Sequence, residues 1–324
     1  MTATALTFDT PVTRLLGIRI PLLQGAMAWL SEAPLVAAVS NQGGLGVLGA
    51  SLMSVAELEA QVVATRKLTP KPFGVNFPLV LGEYGEHLDM ALSHGVKIIV
   101  MSAGSPRKFT ARIHAAGAVC VHVVPNLKLA LSALDAGVDA IVVESVEAGG
   151  HVSSEGITGF TNIPNLRRHI QAPLIAAGGI TSGAGMAAAM ALGADGVQMG
   201  TRFLATHENN AAAVYKDMLL KANEFDTPVY SRAYHPGRAL RSPALEHILT
   251  LEKENRGNEE IRSFIGRGRA RKAAHDGNLQ DGMFYSGAGA VNIEEILTVE
   301  QVFQRVMSEY ADAVTRLRRL AGMM

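Results

Sequence analysis

Residues 115–143 read AAGAVCVHVVPNLKLALSALDAGVDAIVV and hold the pattern that decides the fold. Each alanine-rich helical stretch ends in a glycine, and a short run of β-branched apolar residues follows at once. The same arrangement returns in ALGADGVQM at residues 191–199. A glycine at the C-cap ends a helix, and continuous apolar runs are typical of parallel strands buried on both faces. The pattern therefore predicts a parallel sheet built from strand–helix repeats.

Eight such strands are predicted, with helices such as 33–40, 55–65, 127–135 and 185–192 between them. Eight strands that are each followed by a helix are the count of a TIM barrel, an α/β fold. The alternative is an open doubly wound sheet, but no GxGxxG fingerprint follows the first strand. The predicted strands span residues 21–27, 44–50, 73–79, 97–104, 119–125, 140–145, 174–179 and 196–200.

The chain has 324 residues, which is more than the roughly 250 of a bare barrel. We expect residues 1–222 to form the barrel, with a small, mainly helical lid over its mouth at 223–290. Residues 291–324 are predicted to form a last helix that packs back on the barrel. Its apolar residues recur at helical spacing, and they are Val302, Val306, Tyr310, Val314 and Leu317.

Composition narrows the function class. The formal net charge is zero, so no global field attracts nucleic acid or an anionic membrane. Cys120 is the single cysteine, which excludes an intramolecular disulfide and favours a reducing compartment. The N-terminus does not resemble a signal peptide, no apolar run reaches the ~20 residues that span a bilayer, and no residue spacing is typical of a metal site. We expect a cytoplasmic protein with a small-molecule substrate, and a homodimer on general grounds of symmetry.

The carboxyl ends of the strands are where a TIM barrel places its active site. Gly178 and Gly179 follow the seventh strand, and Gly200 and Thr201 follow the eighth. The loops after these two strands are the usual phosphate site of the fold, and glycine amides approach an anion closely. The alternative is that these glycines only make tight turns.

Three further side chains are candidates. His151 follows two glycines after the sixth strand, on what reads as a flexible loop, and an imidazole transfers protons near neutral pH; a solvated loop histidine is the alternative. Asn76 and Gln198 are amides on apolar strands, where a bound ring or neighbouring backbone would have to satisfy them. The basic residues Arg267, Arg269, Arg271 and Lys272 fit a solvated face better than a site for an acidic carrier protein.

At these residues the chain resembles the nitronate monooxygenase family, whose fold and flavin site are shared by the flavin-dependent enoyl-ACP reductases. The matching motifs include PLLQGAM, KPFGVNFPL, MSAGSP, VVESVEAGGH, PLIAAGGI and GADGVQMGTRFLATHE, between residues 21 and 208. The resemblance implies FMN at the barrel mouth and His151 as the acid–base residue. The flavin contacts that it implies are Gly25, Ala26, Met27, Ala50, Asn76, Glu144, Gly149, Gly150, Gly178, Gly179, Gln198, Gly200 and Thr201.

Three activities follow as hypotheses. The first is an NADH- or NADPH-dependent reductase of 2-enoyl thioesters, free or carried by an acyl carrier, because SAGSP and residues 257–303 resemble the enoyl-ACP reductases. The second is a nitronate monooxygenase that oxidises alkyl nitronates with O₂. The reductases usually have paired threonines after AGGH and a Gly-Gln near the C-terminus, where this chain has VSSEG and Gly287-Ala288. The third, from another class, is a non-redox barrel that binds a phosphorylated metabolite.

Overall fold

A closed barrel of eight parallel strands forms the centre of the computed structural model, which describes residues 6–232, 235–266 and 268–323. The first strand pairs with the second and also with the last, where Leu23 lies opposite Gln198. The predicted TIM barrel is confirmed, and the open doubly wound sheet is excluded. Its strands are β1 (Leu22–Gln24), β2 (Leu45–Gly49), β3 (Phe73–Pro78), β4 (Ile98–Ser102), β5 (Val119–Val124), β6 (Ala140–Glu144), β8 (Leu174–Ala177) and β9 (Gly196–Met199).

The predicted strands all overlap the observed ones, but each runs too far at its carboxyl end. Residues 25–27 were assigned to the first strand, whereas β1 ends at Gln24. Gly178 and Gly179 likewise lie beyond the end of β8, with φ values of +94° and +74° that a strand does not accommodate. These glycine-rich ends leave the ladder and form the loops of the barrel mouth.

Helices cover the outside of the barrel, and their ends explain why the glycine pattern was informative. Gly117, Gly137 and Gly193 each follow a helix with φ of +62°, +91° and +109°. Each lies one residue beyond the C-cap, in the left-handed region that favours glycine. The helices through this part of the chain are α1 (Pro11–Leu16), α2 (Ala33–Asn41), α3 (Val55–Leu68), α4 (Gly85–Ser93), α5 (Arg107–Ala115), α6 (Leu127–Asp135), α7 (Gly159–Arg167), α8 (Gly183–Ala191), α9 (Thr201–Leu204) and α10 (Ala213–Leu220).

Two apolar layers hold the barrel together. One joins the outward faces of the strands to the helices, and the other fills the barrel interior. Because successive side chains of a strand point to opposite faces, the interior layer fixes which positions point inward. The inward residues are Leu23, Leu45, Val47, Ile98, Val100, Val121, Ala140, Val142, Ile175 and Ala177.

The segment after the barrel contains more strand structure than the sequence predicted. A three-stranded antiparallel sheet has the order β10 (Val229–Tyr230), β11 (Gly237–Arg238) and β7 (Gly150–His151). It joins the segment to the loop that carries His151, so His151 does not lie on a free loop as expected. The remaining elements are α11 (Pro243–Lys253), α12 (Asn258–Ile265), α13 (Arg269–Ala274) and a 3-10 helix at Ala288–Asn292.

The last helix, α14 (Val299–Leu320), packs against α8 and α2. Its first half meets the barrel through Val302 and Val306, which are buried, whereas Leu317 in its second half is 51% exposed. A Cβ at Gly183 would lie 1.9 Å from the Val306 carbonyl oxygen, so α8 must begin with glycine for the two helices to approach. Among the described residues, no helix combines the length and the apolar character needed to cross a bilayer.

Candidate active site

Inward-facing positions at or just beyond the carboxyl ends of the barrel strands form one layer at the mouth. Because the side chains of a strand alternate between its two faces, β3, β6 and β9 each place one inward-pointing side chain near the carboxyl end of the strand. Three members of the layer are small and four are polar, so the layer leaves room beside hydrogen-bonding groups. The small members are Gly25, Gly49 and Ala177, and the polar ones are Asn76, Ser102, Glu144 and Gln198.

Asn76 is 8% exposed, and both its side chain and its backbone carbonyl form hydrogen bonds. Its side-chain amide donates weakly to Ser102 Oγ at 3.3 Å and to the Val100 carbonyl at 3.4 Å. Its backbone carbonyl accepts from the Ala50 amide at 3.1 Å, which ties two predicted contact residues together. Neighbouring groups therefore satisfy part of the Asn76 amide, as the alternative interpretation expected. Ser102 belongs to the same layer and was not among the predicted contacts.

Glu144 is half-buried, and no described residue donates a hydrogen bond to its carboxyl group. Desolvation by the surrounding barrel raises the pKa of this carboxyl from 4.5 to about 7. A carboxyl that is desolvated and unpartnered is poised to bind a ligand with hydrogen-bonding groups.

Gln198 lies on the opposite side of the layer from the polar pair Asn76 and Ser102. A Cβ at Gly25 would lie 3.1 Å from its side chain, so the glycine lets the amide lie flat against the first loop. The Gly25 amide donates to the Met199 carbonyl at 2.9 Å and keeps this loop against β9.

The loop that begins with Gly25 is held from below by a buried network. Met27 donates its amide to Ser31 Oγ at 2.7 Å, and Ser31 Oγ accepts from the side chain of buried Gln24 at 2.8 Å. A Cβ at Gly200, after β9, would lie 3.8 Å from Met27 Sδ. The first and last strands thus place the predicted contacts Gly25, Ala26, Met27 and Gly200 side by side.

The loops after β6 and β8 pack so tightly that only glycine fits. A Cβ at Gly178 would lie 2.4 Å from Ser145 Oγ, and one at Gly149 would lie 2.6 Å from the amide nitrogen of Gly287. In the described part of the chain, no group accepts a hydrogen bond from the amides of Gly178, Gly179 and Thr201. Amides that converge without protein acceptors are typical of an anion site, which fits a phosphate group.

The segment at residues 286–289 borders the same amides, and the sequence did not identify it as part of the site. The Gly287 amide donates to Thr201 Oγ1 at 2.9 Å, and the Ala288 amide donates to the Glu147 carbonyl at 2.9 Å. A Cβ at Gly289 would lie 2.6 Å from Thr181 Cγ2. The glycines at 287 and 289 were the available signal, but only tertiary structure brings them to the mouth.

His151 lies at the mouth on β7, where it pairs with Gly237. Its side chain keeps an exposed edge, and its ring centroid is 6.1 Å from that of Tyr285. Burial, and then the charge of His235, lowers the pKa of the imidazole below its ordinary value of 6.5. At neutral pH the ring is therefore neutral, with one nitrogen that donates and one that accepts. Gly150 has φ of +82° and open space where its Cβ would be.

Other chemistry-bearing residues are in structural roles. Cys120 is fully buried, and burial raises its pKa to about 12. Arg269 and Lys272 both pair with Asp281, at 3.3 and 3.0 Å, while Arg271 lies over the ring of Trp29. The fourth member of the predicted basic cluster, Arg267, lies outside the described residues. No group of three or more His, Cys, Asp or Glu side chains in the described ranges is arranged to hold a metal ion.

Comparison with known proteins connects this site to a family. Residues 9–309 match the family model described as nitronate monooxygenase. The chain belongs to the nitronate monooxygenase family. It is therefore an oxidoreductase of the FMN-dependent kind, which removes the non-redox barrel from the three hypotheses.

Relatives of known structure or name lie on different branches of the nitronate monooxygenase family and its neighbours. FabK from Thermotoga maritima superimposes with a TM-score of 0.92 and 38% identity, over 97% of this chain and all of that one. A nitroalkane oxidase from Streptomyces ansochromogenes superimposes with a TM-score of 0.83 and 27% identity, over 95% of this chain and all of that one. A Mycobacterium tuberculosis dehydrogenase of a hydroxy-methyl-oxo-octahydroindene carboxyl-CoA is 35% identical, over 74% of this chain and 68% of its own.

Proposed function

We propose that this protein is an FMN-dependent reductase of 2-enoyl thioesters that uses NADH or NADPH. The observation that carries the proposal is the likeness to FabK, an enoyl-ACP reductase, over 97% of the chain, lid segment included. The dehydrogenase from Mycobacterium tuberculosis adds support, because its name specifies a carboxyl-CoA thioester. When bound, FMN would take hydride from the nicotinamide and supply it to the β-carbon of the substrate.

The residues of the mouth fit such a cofactor. The free amides of Gly178, Gly179 and Thr201 would bind the phosphate, with the 287–289 segment behind them. The side chains of Asn76, Glu144 and Gln198 would meet the polar edge of the ring, with the small residues of the layer between them. The remaining predicted contacts, Gly25, Ala26, Met27, Ala50, Gly149, Gly150 and Gly200, would line the cofactor through backbone or apolar contact.

His151 is the proton-transfer group of this proposal. In its imidazolium form, whose proton the lowered pKa makes easier to release, it would protonate the α-carbon of the thioester as the β-carbon is reduced. The antiparallel pairing of Gly150–His151 with Gly237–Arg238 holds the backbone of His151 against the 223–290 segment. That segment would therefore control both the position of the imidazole and the access of substrate, and we propose it as the source of substrate selectivity.

Oxidation of nitronates or nitroalkanes is the second candidate, and one observation favours it. The lowered pKa of His151 keeps the imidazole unprotonated at neutral pH, which suits a base that removes the α-proton of a nitroalkane. The family name and the nitroalkane oxidase from Streptomyces ansochromogenes agree with this candidate.

Anaerobic mixing separates the two candidates. We expect NADH or NADPH to bleach the flavin absorbance of the purified protein, and crotonyl-CoA, a 2-enoyl thioester, to restore it. The preferred nicotinamide is the one that bleaches faster. Bleaching by an alkyl nitronate and by neither nicotinamide would overturn the reductase proposal and favour the second candidate.

The Gly200→Ala substitution tests the position of the cofactor. Gly200 has an ordinary φ of −105°, and its added Cβ would meet only Met27, at 3.8 Å, so the apoprotein should keep its stability. If the ring or phosphate lies against this glycine, we expect FMN to bind at least about tenfold more weakly, a difference of about 1.4 kcal/mol. Titration followed by the fluorescence of Trp29, the single tryptophan, measures the affinity.

Gly257→Ala is the matched control, because nothing lies within 4 Å of its added Cβ and it is in the lid, away from the mouth layer. Unchanged FMN affinity in Gly200→Ala would place the cofactor elsewhere.

A further inference from the structure

Two tyrosines stand beside the proposed acid–base residue. Tyr285 is half-buried, and its ring centroid lies 6.1 Å from that of His151, with the planes inclined by 40°. Tyr230 is 1% exposed, and a hydrogen-bonding interaction with Tyr285 raises the pKa of the Tyr230 hydroxyl and opposes the burial that raises the pKa of Tyr285. Neither residue was a candidate in the sequence, because both lie in the lid segment, far along the chain from His151.

The direction of the hydrogen bond follows from the surroundings. The Tyr230 hydroxyl packs over Gly237, where a Cβ would lie 2.4 Å from it, and among the described residues it has no hydrogen-bond partner other than Tyr285. A buried hydroxyl must use its proton, so Tyr230 donates and the Tyr285 hydroxyl accepts. The proton of Tyr285 is then free for a ligand at the mouth.

The backbone at Tyr285 is fixed independently of its hydroxyl. The Tyr215 hydroxyl donates to the Tyr285 carbonyl at 2.6 Å, and Ala239 forms a β-bridge with Tyr285. The adjacent Leu240 amide donates to the Phe284 carbonyl at 2.8 Å. Such preorganisation lets a donor bind developing charge without the cost of reorganising.

We propose that the Tyr285 hydroxyl donates a hydrogen bond to the carbonyl oxygen of the thioester, while His151 serves the α-carbon of the same substrate. The inference rests on the proposed reductase function. As hydride, supplied by the reduced nicotinamide, forms a bond to the β-carbon, the electron pair of the double bond moves toward the carbonyl oxygen. That oxygen becomes negative and is stabilised by Tyr285. The electron pair then takes a proton at the α-carbon from the imidazolium form of His151, which becomes neutral imidazole, and the carbonyl re-forms.

The two contacts are compatible with one substrate, because the carbonyl oxygen and the α-carbon of a thioester are only two bonds apart. Tyr230 has a different role. It is a positioning residue. The proton that it donates occupies a lone pair of the Tyr285 hydroxyl oxygen, which leaves the proton of Tyr285 to point to the mouth.

The Tyr285→Phe holoenzyme tests the inference by two readouts. In anaerobic half-reactions we expect bleaching by nicotinamide to keep its rate, and reoxidation by crotonyl-CoA to slow by about 10²-fold, the loss typical of one oxyanion donor. We also expect the carbonyl stretch of crotonyl-CoA bound to the oxidised holoenzyme, measured by difference infrared spectroscopy, to shift to lower frequency in the wild type and much less in Tyr285→Phe.

Two variants complete the design. Tyr230→Phe leaves the Tyr285 hydroxyl in place but undirected, so we expect a smaller slowing and an intermediate carbonyl shift. Tyr310→Phe changes a hydroxyl on α14, remote from the mouth, and should match the wild type. Reoxidation of Tyr285→Phe at the wild-type rate with an unchanged carbonyl shift overturns the role of Tyr285. Failure of crotonyl-CoA to reoxidise the wild type instead overturns the proposed function, so the two failures are distinguishable.

Discussion

Replacing His151 with alanine should lower turnover by about 10²–10⁴-fold while FMN stays bound at wild-type occupancy. General acid–base catalysis by a positioned side chain contributes a factor of this size. The backbone of His151 is paired with Gly237 in the small sheet, so the loop should keep its position without the imidazole. Steady-state turnover of crotonyl-CoA, together with the flavin absorbance of the purified variant, measures both quantities.

The control for this prediction is His169→Ala. His169 follows α7 at the opposite end of the barrel, and its ring hydrogen-bonds to the Asn165 carbonyl at 2.8 Å. The His169→Ala variant should reduce crotonyl-CoA at the wild-type rate. Wild-type turnover in His151→Ala would remove His151 from the mechanism, while loss of flavin in that variant would give it a binding role instead.

The barrel was predictable because its signal is local and repeated. Runs such as VCVHVV and AIVVE predict buried strands by composition, and the glycines at 117, 137 and 193 predict where each preceding helix ends. The strand ends were overestimated because an apolar or small residue such as Ala26 has no local property that distinguishes the last ladder position from the first loop position.

The small sheet was not predictable for the opposite reason. Its strands have two residues each, too short for any periodicity, and they pair Gly150–His151 with residues more than 80 positions away. Tyr285 and Gly287 reach the site through the same long-range packing. By contrast, Asn76 and Gln198 could be proposed from the sequence because a polar residue on an apolar barrel strand is conspicuous, whereas Glu144 was proposed only through the family resemblance.

Glu144 is a titratable member of the mouth layer whose charge opposes folding. In the folded protein, desolvation raises its pKa from 4.5 to about 7, so the folded state binds a proton that the unfolded state releases between these values. At pH 4.5 and below, both states are protonated and the carboxyl costs nothing. As the pH rises to 7 the cost grows, and above 7 it stays constant at about 3 kcal/mol, since each pKa unit corresponds to about 1.4 kcal/mol.

The Glu144→Gln substitution should therefore stabilise the FMN-free protein by an amount that depends on pH. Relative to the wild type, the gain in the free energy of unfolding should be about 3 kcal/mol larger at pH 9 than at pH 4.5. Urea denaturation at a series of pH values measures it. Glu155→Gln, at an exposed position, is the control and should show no such trend. A gain for Glu144→Gln that does not change with pH would mean that the carboxyl is not desolvated in the folded protein, and the polar layer would lose the unpartnered group that makes it a ligand site.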